Sequence, residues 1–263
     1  MSATHALQTV AALSGREMLK FVRDRSRLLG ALVQPLAFWG LLGLGFQHTF
    51  QVPAGVPGSV GYTEFLLPGI ITLILLFTAI FSTISIVEER TSGFLQAVMV
   101  APTPRTALVL GNALGGTLLA TAQALLFVAA APLVGLVPPL TGLAFIAVIC
   151  LLTGLAFTAL GFSIAWRMDS TRGFHAVMNL FLLPLWFLSG GLFPAAGAVP
   201  VLQALVWINP VSYAVSGVRH GLYGLGQAPA VLASPGVCLA VTAAFAACML
   251  GLAVYTVQRS FFS

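Results

Sequence analysis

Long apolar runs separated by short polar punctuation dominate this chain. Six of them read as membrane-crossing helices, at about 28–47, 65–87, 106–134, 140–166, 173–192 and 236–257. At a rise of ~1.5 Å per residue, about 20 residues cross ~30 Å of hydrocarbon. The runs are continuous and do not alternate with a period of two, which predicts helices rather than barrel strands. Residues 7–27 follow a different pattern. At about 100° per residue, Arg16, Lys20, Arg23 and Arg27 fall within an arc of roughly 60°. Leu7, Val10, Ala11, Met18, Phe21 and Val22 lie on the other side. An apolar stripe facing a basic stripe predicts a helix lying in the membrane surface, with acyl chains below and headgroups above. Its cations follow the first apolar residues rather than precede them, so this segment does not read as a cleaved signal.

Two connections carry more pattern than a loop needs. After the second run come Glu88, Glu89 and Arg90, which end the helix because burying three charges in hydrocarbon is costly. Gly93 permits a sharp turn. Residues 94–101, containing Phe94, Leu95 and Val98, then predict a short apolar helix ended by Pro102 and Pro104. It is too short to cross, so its apolar face lies in headgroups or docks into a groove on a soluble partner. Between the fifth and sixth runs, 199–208 and 211–223 are short apolar pieces joined by Asn209-Pro210. They predict a re-entrant helical hairpin with that dipeptide as its turn, and with Arg219 and His220 on its outer half.

Composition sharpens the class. Apolar residues make up 59% of 263 and charged residues 6%, against about 25% charged in soluble domains. Too few polar side chains exist to cover a soluble enzyme, and the chain is far too apolar to be disordered. The expected fold is an all-α polytopic membrane protein, one domain over 1–263. The net charge of +5 matters through its placement. With the N-terminus in the cytoplasm, every cation falls inside except Arg219, so the positive-inside rule puts both termini there. Nothing in that placement points to nucleic acid. Cys150, Cys238 and Cys248 lie in apolar runs without metal-ligand spacing.

Several chemistries are missing. No Gly-rich loop ends in Lys-Ser or Lys-Thr, and Lys20 is the only lysine, so the chain has no nucleotide-hydrolysing motif of its own. The histidines are scattered and lack helical pairing, which argues against a metal site, and no Ser/His/Asp grouping suggests a hydrolase or lipid enzyme. No acid sits in mid-span to couple to protons or cations. The polar residues within spans are neutral: Thr78, Ser82, Thr83, Ser85 and Asn179. A weakly polar lining suits amphipathic cargo better than small ions. Gly111 to Gly116, inside a span, predicts close helix packing.

Four motifs in order on this frame resemble a known family: Phe65-Leu66-Leu67-Pro68-Gly69, Glu88-Glu89-Arg90-Thr91-Ser92-Gly93 through Pro102, Ser189-Gly190-Gly191-Leu192-Phe193-Pro194, and Asn209-Pro210-Val211-Ser212-Tyr213. The chain resembles the membrane permease subunit of type-2 ATP-binding-cassette (ABC) exporters, in particular bacterial drug-resistance and nodulation-type permeases. The resemblance implies an inner-membrane permease that dimerises and works with two copies of a separate ATPase, which carries ATP and Mg. Residues 7–27 would be the connecting helix and 94–101 the coupling helix. Coupling would involve Arg16, Lys20, Arg23, Glu88, Glu89, Arg90, Gly93, Phe94, Leu95, Val98 and Pro102. The family's acidic triplet usually ends in Glu, where this chain has Arg90. The second and fifth spans would line the path, through Thr78, Ser82, Ser85, Asn179 and Trp186. Phe193, Pro194, Asn209, Pro210 and Tyr213 would gate its outer end. A drug-like or lipid-like amphipath is the expected cargo. A lipid-linked oligosaccharide is the alternative, favoured by Trp186, Phe187 and Trp207.

Overall fold

The computed structural model describes residues 3–23, 25–46, 61–93, 105–194 and 199–259, in which all regular structure is helical. The predicted helix at 94–101, with Phe94, Leu95, Val98 and Pro102, lies outside the described residues. Helix α1 is Ala3–Arg23 and α2 is Arg25–Phe46. Helices α3, Tyr62–Ser82, and α4, Ile84–Thr91, run on as one span of 30 residues. The break at Thr83 has a local cause. The hydroxyls of Ser82, Thr83 and Ser85 donate back to the carbonyls of Ala79, Ile80 and Ser82 at 2.7, 2.6 and 3.1 Å, in competition with the helical ladder.

Helix α5, Arg105–Val128, ends in a tight turn at Ala131–Val134, and α6 is Leu140–Ala165. The remaining helices are α7, Thr171–Phe187, α8, Pro200–Ile208, α9, Pro210–Tyr223, and α10, Pro235–Arg259.

Among the described residues, four spans are long and apolar enough to cross a bilayer: Tyr62–Thr91, Thr106–Val134, Leu140–Ala165 and Pro235–Arg259. They coincide with the second, third, fourth and sixth apolar runs. A fifth is added if α8 and α9, which meet at 81°, make one broken span. The first run falls on α2, 22 residues long, and the fifth on α7. The described apolar part of α2 is Pro35–Phe46. Helix α7 has 17 residues, about 26 Å of rise, and stops at Phe187 rather than at 192. Its end is set by a tightened last turn, in which the Leu188 and Ser189 amides donate to Pro184 and Trp186. Gly190 then takes a left-handed φ of +73°, which a side chain would resist.

Helix α3 forms the core. It is packed by α2, α5, α6, α7 and α9, and Leu66, Leu67, Ile70, Ile71, Ile74 and Leu75 are fully buried. Of its most apolar stretch 83% is buried inside the protein, against 22% for α10. A helix apolar on every side belongs inside a bundle, whereas α10 packs on α6 by one face and leaves the rest at the surface of the chain.

Hydrocarbon gives apolar helices no reason to prefer one another to lipid, so close approach has to come from small residues. The Gly111–Gly116 stretch does this on both sides of α5. A Cβ on Gly111 would sit 2.7 Å from Leu13 Cβ of α1, and one on Gly116 would sit 2.3 Å from Ser82 Oγ of α3. Helix α9 meets α6 in the same way, with the position of a Gly142 Cβ 2.1 Å from the Gly221 carbonyl oxygen.

The docking of α1 differs from the two-stripe pattern. Leu13 packs against the core, and Ser14 and Glu17 are buried. Ser14 Oγ donates to the Gly111 carbonyl at 2.9 Å. The buried face is the flank between the basic and apolar stripes, whereas Gln8, Ala12 and Leu19 on the opposite flank are exposed.

Gly221→Val places its Cβ 2.3 Å from Ile146 Cγ1. Overpacking of this kind costs about 1–3 kcal/mol. Thermal unfolding in detergent should show a lower Tm for this variant, while Gly251→Ala, with nothing within 4 Å, should keep the parent Tm or exceed it slightly.

Candidate functional site

Many of the described residues suggested by the sequence lie at two junctions, one at each end of the α3–α4 rod. At the α4 end, charge does the joining. Glu89 is buried, and its Oε1 accepts from Arg16 Nη2 at 2.5 Å and from Lys20 Nζ at 2.6 Å, both from α1. Glu17, buried on α1 itself, lies 3.0 Å from Arg16 and 3.5 Å from Lys20. Two acids and two bases therefore share one contact, with Arg16 and Lys20 27% and 44% exposed. Partial exclusion of water strengthens such pairs, and the access that remains limits their desolvation cost.

Arg90 turns the other way. Its Nη1 donates to the Trp166 carbonyl at 2.5 Å and its Nε lies 3.2 Å from Asp169, both in the α6–α7 connection. Glu88 and Arg23 are exposed. Gly93 takes φ +76° just past α4, where the chain turns toward residue 94. The triplet Glu88-Glu89-Arg90 thus does more than end a helix, because it ties α1 on one side and the α6–α7 turn on the other.

At the α3 start, small residues and main-chain carbonyls do the joining. A Cβ on Gly69 would sit 2.7 Å from the Gly191 carbonyl oxygen, so α3 and the turn after α7 touch backbone to backbone. Pro68, inside α3, has no amide to donate and leaves a helical carbonyl without its usual partner. Trp186 Nε1 donates to the Gly69 carbonyl at 2.7 Å, with the ring fully buried and edge-on to Phe38 of α2. The Tyr62 hydroxyl donates to the Leu192 carbonyl at 3.2 Å.

Asn209 closes the other side of this junction. Its Oδ1 accepts from the Val211 amide at 2.9 Å and caps α9. Its Nδ2 donates to the Leu185 and Leu188 carbonyls at 2.6 and 3.0 Å, two groups at the end of α7 that lack helical partners. Pro210 follows as the first residue of α9, where its missing amide costs nothing. The Tyr213 hydroxyl donates to the Trp207 carbonyl of α8 at 3.0 Å. Phe193 and Pro194 are half-buried in the same turn. Three of the four motifs, remote in sequence, therefore meet at one place.

The suggested path residues do not share one surface. Thr78 is buried and bonded to Gln123 of α5 at 2.5 Å, Ser85 is buried, and Trp186 is the internal anchor described above. Ser82 is half-buried and Asn179 exposed. What α3 leaves partly open is the flank bearing Phe77 and Phe81, where Phe81 lies 4.7 Å from the His175 ring of α7. Among the described residues, no group of three His, Cys, Asp or Glu side chains could hold a metal ion.

Sequence reasoning missed Glu17, Asp169, Gly69, Gly191 and Phe81. The first two carried a faint signal, since Glu17 precedes Lys20 by one helical turn and Asp169 is the one acid in a basic turn. Gly69 and Gly191 stood inside quoted motifs, with nothing in one dimension to show that they face each other.

Comparison with known proteins gives these junctions a context. Residues 8–223 match the family model described as ABC-2 type transporter. Nodulation protein J of Rhizobium leguminosarum bv. trifolii is 33% identical over 200 residues, covering 75% of this chain and 74% of that protein. The inner membrane transport permease YadH of Escherichia coli K12 is 25% identical over 208 residues, covering 76% and 78%.

Glu89→Gln keeps an acceptor oxygen but removes its charge, and leaves Arg16 and Lys20 facing a neutral amide. With both cations partly exposed, the expected loss is about 1–2 kcal/mol. Arg16→Gln should add little to it, because the two side chains act through one contact. A double-mutant cycle on thermal stability measures that shortfall.

Proposed function

The chain belongs to the ABC-2 type transporter family, and on that premise we propose that it is the permease subunit of an ATP-driven exporter of amphipathic cargo. It is a membrane transport subunit by family, and its family normally works with an ATPase partner. In the proposed assembly two copies of this chain pair with two ATPase subunits, which hold the nucleotide and Mg. Both termini and the Glu89 junction face the cytoplasm, and the Gly69–Gly191 junction faces out. The first and fifth apolar runs complete six spans when α2 and α7 pack within the assembly, and α8–α9 form a re-entrant hairpin.

One observation carries this reading. The two junctions sit at opposite ends of the same buried rod, α3–α4, and the chain leaves that rod at Gly93 toward the segment at 94–101. A push on that segment reaches Glu89 directly, and through it the connecting helix α1. The same rod at its far end contacts the turn at Gly191 and, through α7, Asn209. Cargo would move along the flank of α3 left partly open at Phe77 and Phe81, with Asn179 of α7 on the adjoining exposed face.

Export of a lipid-linked oligosaccharide or polysaccharide is the second reading. Phe187 and Trp207, 43% and 53% exposed near the outer junction, favour it, because sugar rings stack on such surfaces. ATPase stimulation across a panel of amphipaths and lipid-linked glycans separates the two readings.

Co-purification with a candidate cassette ATPase tests the assembly. In that complex, Leu95→Asp with Val98→Asp should leave membrane insertion intact while ATP hydrolysis no longer drives transport. Normal transport by the double variant would remove residues 94–101 from the coupling role.

A further inference from the structure

Arg219 is the one cation that charge placement puts on the far side of the membrane, yet it is only 2% exposed. A buried guanidinium needs partners, and its three hydrogen bonds all go to main-chain carbonyls. Nη1 donates to Ala230 at 2.6 Å, and Nη2 donates to Phe65 at 3.4 Å and Gly190 at 3.3 Å. The guanidinium also lies over the Phe65 ring, 4.4 Å from its centroid. Its Nε is buried without a partner.

The geometry gathers four separate pieces of chain on one side chain: α9 which bears it, the start of α3, the Gly190 turn after α7, and the loop after α9. The neighbouring side chains on α9 extend this clasp, with His220 Nε2 2.8 Å from the Ala233 carbonyl and Ser216 Oγ accepting from the Leu232 amide at 3.1 Å. We propose that Arg219 is the latch of the outer gate, a positioning residue that holds the α8–α9 hairpin against α3 and the Gly190 turn in the closed state.

The chemistry suits a latch better than a permanent rivet. Carbonyls contribute dipoles rather than a full counter-charge, so a guanidinium whose hydrogen bonds all go to them and which lies on an aromatic face keeps much of its desolvation cost. Separation of the hairpin from α3 returns the group to water and recovers that cost. The longest of the three bonds, at 3.3 and 3.4 Å, are the two that cross to the Gly190 turn and α3, whereas the short one stays within the hairpin's own loop. Opening therefore breaks the weaker contacts and keeps the stronger. A lysine cannot replace this fork, because its ammonium is a single point without a planar array of donors.

This latch rests on the permease reading above, and the test separates the two. Leu192→Cys, in a background where Cys150, Cys238 and Cys248 are Ala, is labelled in whole cells expressing the ATPase partner with a membrane-impermeant maleimide. The latch predicts slow labelling in this parent under ATP depletion, and labelling at least five-fold faster after Arg219→Gln, with Arg219→Lys failing to restore the parent rate. Phe65→Leu, which keeps the carbonyls and removes the ring, should give an intermediate rate. Equal rates in parent and both Arg219 variants, at equal membrane abundance, would overturn the latch. If Arg219→Gln does not accumulate, the Phe65→Leu rate decides, and an unchanged rate there overturns it. A parent whose labelling ignores ATP and the partner would instead count against the permease reading.

Discussion

The enclosure of α3 by its own chain is the constraint from which the other features follow. A membrane helix surrounded by lipid can slide and tilt freely, whereas one surrounded by five other helices moves only with its neighbours. Helix α3 has α2, α5, α6, α7 and α9 around it, and its apolar side chains are buried except on the flank of Phe77 and Phe81. Shape fixes its position, because lipid and protein are equally apolar. That is why glycines lie where the helices come closest, at Gly116 against Ser82 and at Gly69 against Gly191. Several polar side chains in the interior bond locally, as Thr72 does to the Pro68 carbonyl at 2.9 Å.

A rod held in this way can carry a displacement from one end to the other. The two ends are built from different interactions. Ion pairs at Glu89 sit beside water, tolerate small shifts, and can re-form after a movement. Backbone contact and carbonyl hydrogen bonds at Gly69, Gly191, Asn209 and Arg219 are short-ranged and dry, so they hold or release over small distances. In the proposed permease, an adaptable junction at the end near Gly93 and an all-or-none junction at the far end would suit a subunit that receives motion at one end and opens at the other.

The sequence made some of this legible and hid the rest for identifiable reasons. Continuous apolar runs located the four long spans, because length and hydropathy are one-dimensional properties. The Gly111–Gly116 packing was legible because so many small residues in a span have few other uses. The docking face of α1 was not, since Ser14 and Glu17 are polar residues that a search for apolar periodicity assigns to solvent. The end of α7 fell short of the apolar run because the run continues past Phe187, whereas the turn at Ser189 and Gly190 ends the helix. Arg219 counted as an exterior charge, although its neighbours in space, Phe65 and Gly190, are remote in sequence. Trp186 was read as a path residue from its place in a span, and its bond to Gly69 becomes visible only in three dimensions.

The most direct test of the account is whether the two ends of α3–α4 move together. Spin labels at Arg23 on α1 and, in a separate sample, at Leu225 beside α9 report distances between the two permease copies in the complex reconstituted with its ATPase. The account predicts that ATP shifts both distance distributions, and that both return after hydrolysis. A shift at Arg23 with an unchanged distribution at Leu225 would contradict it, because the driven end would then move without the gate.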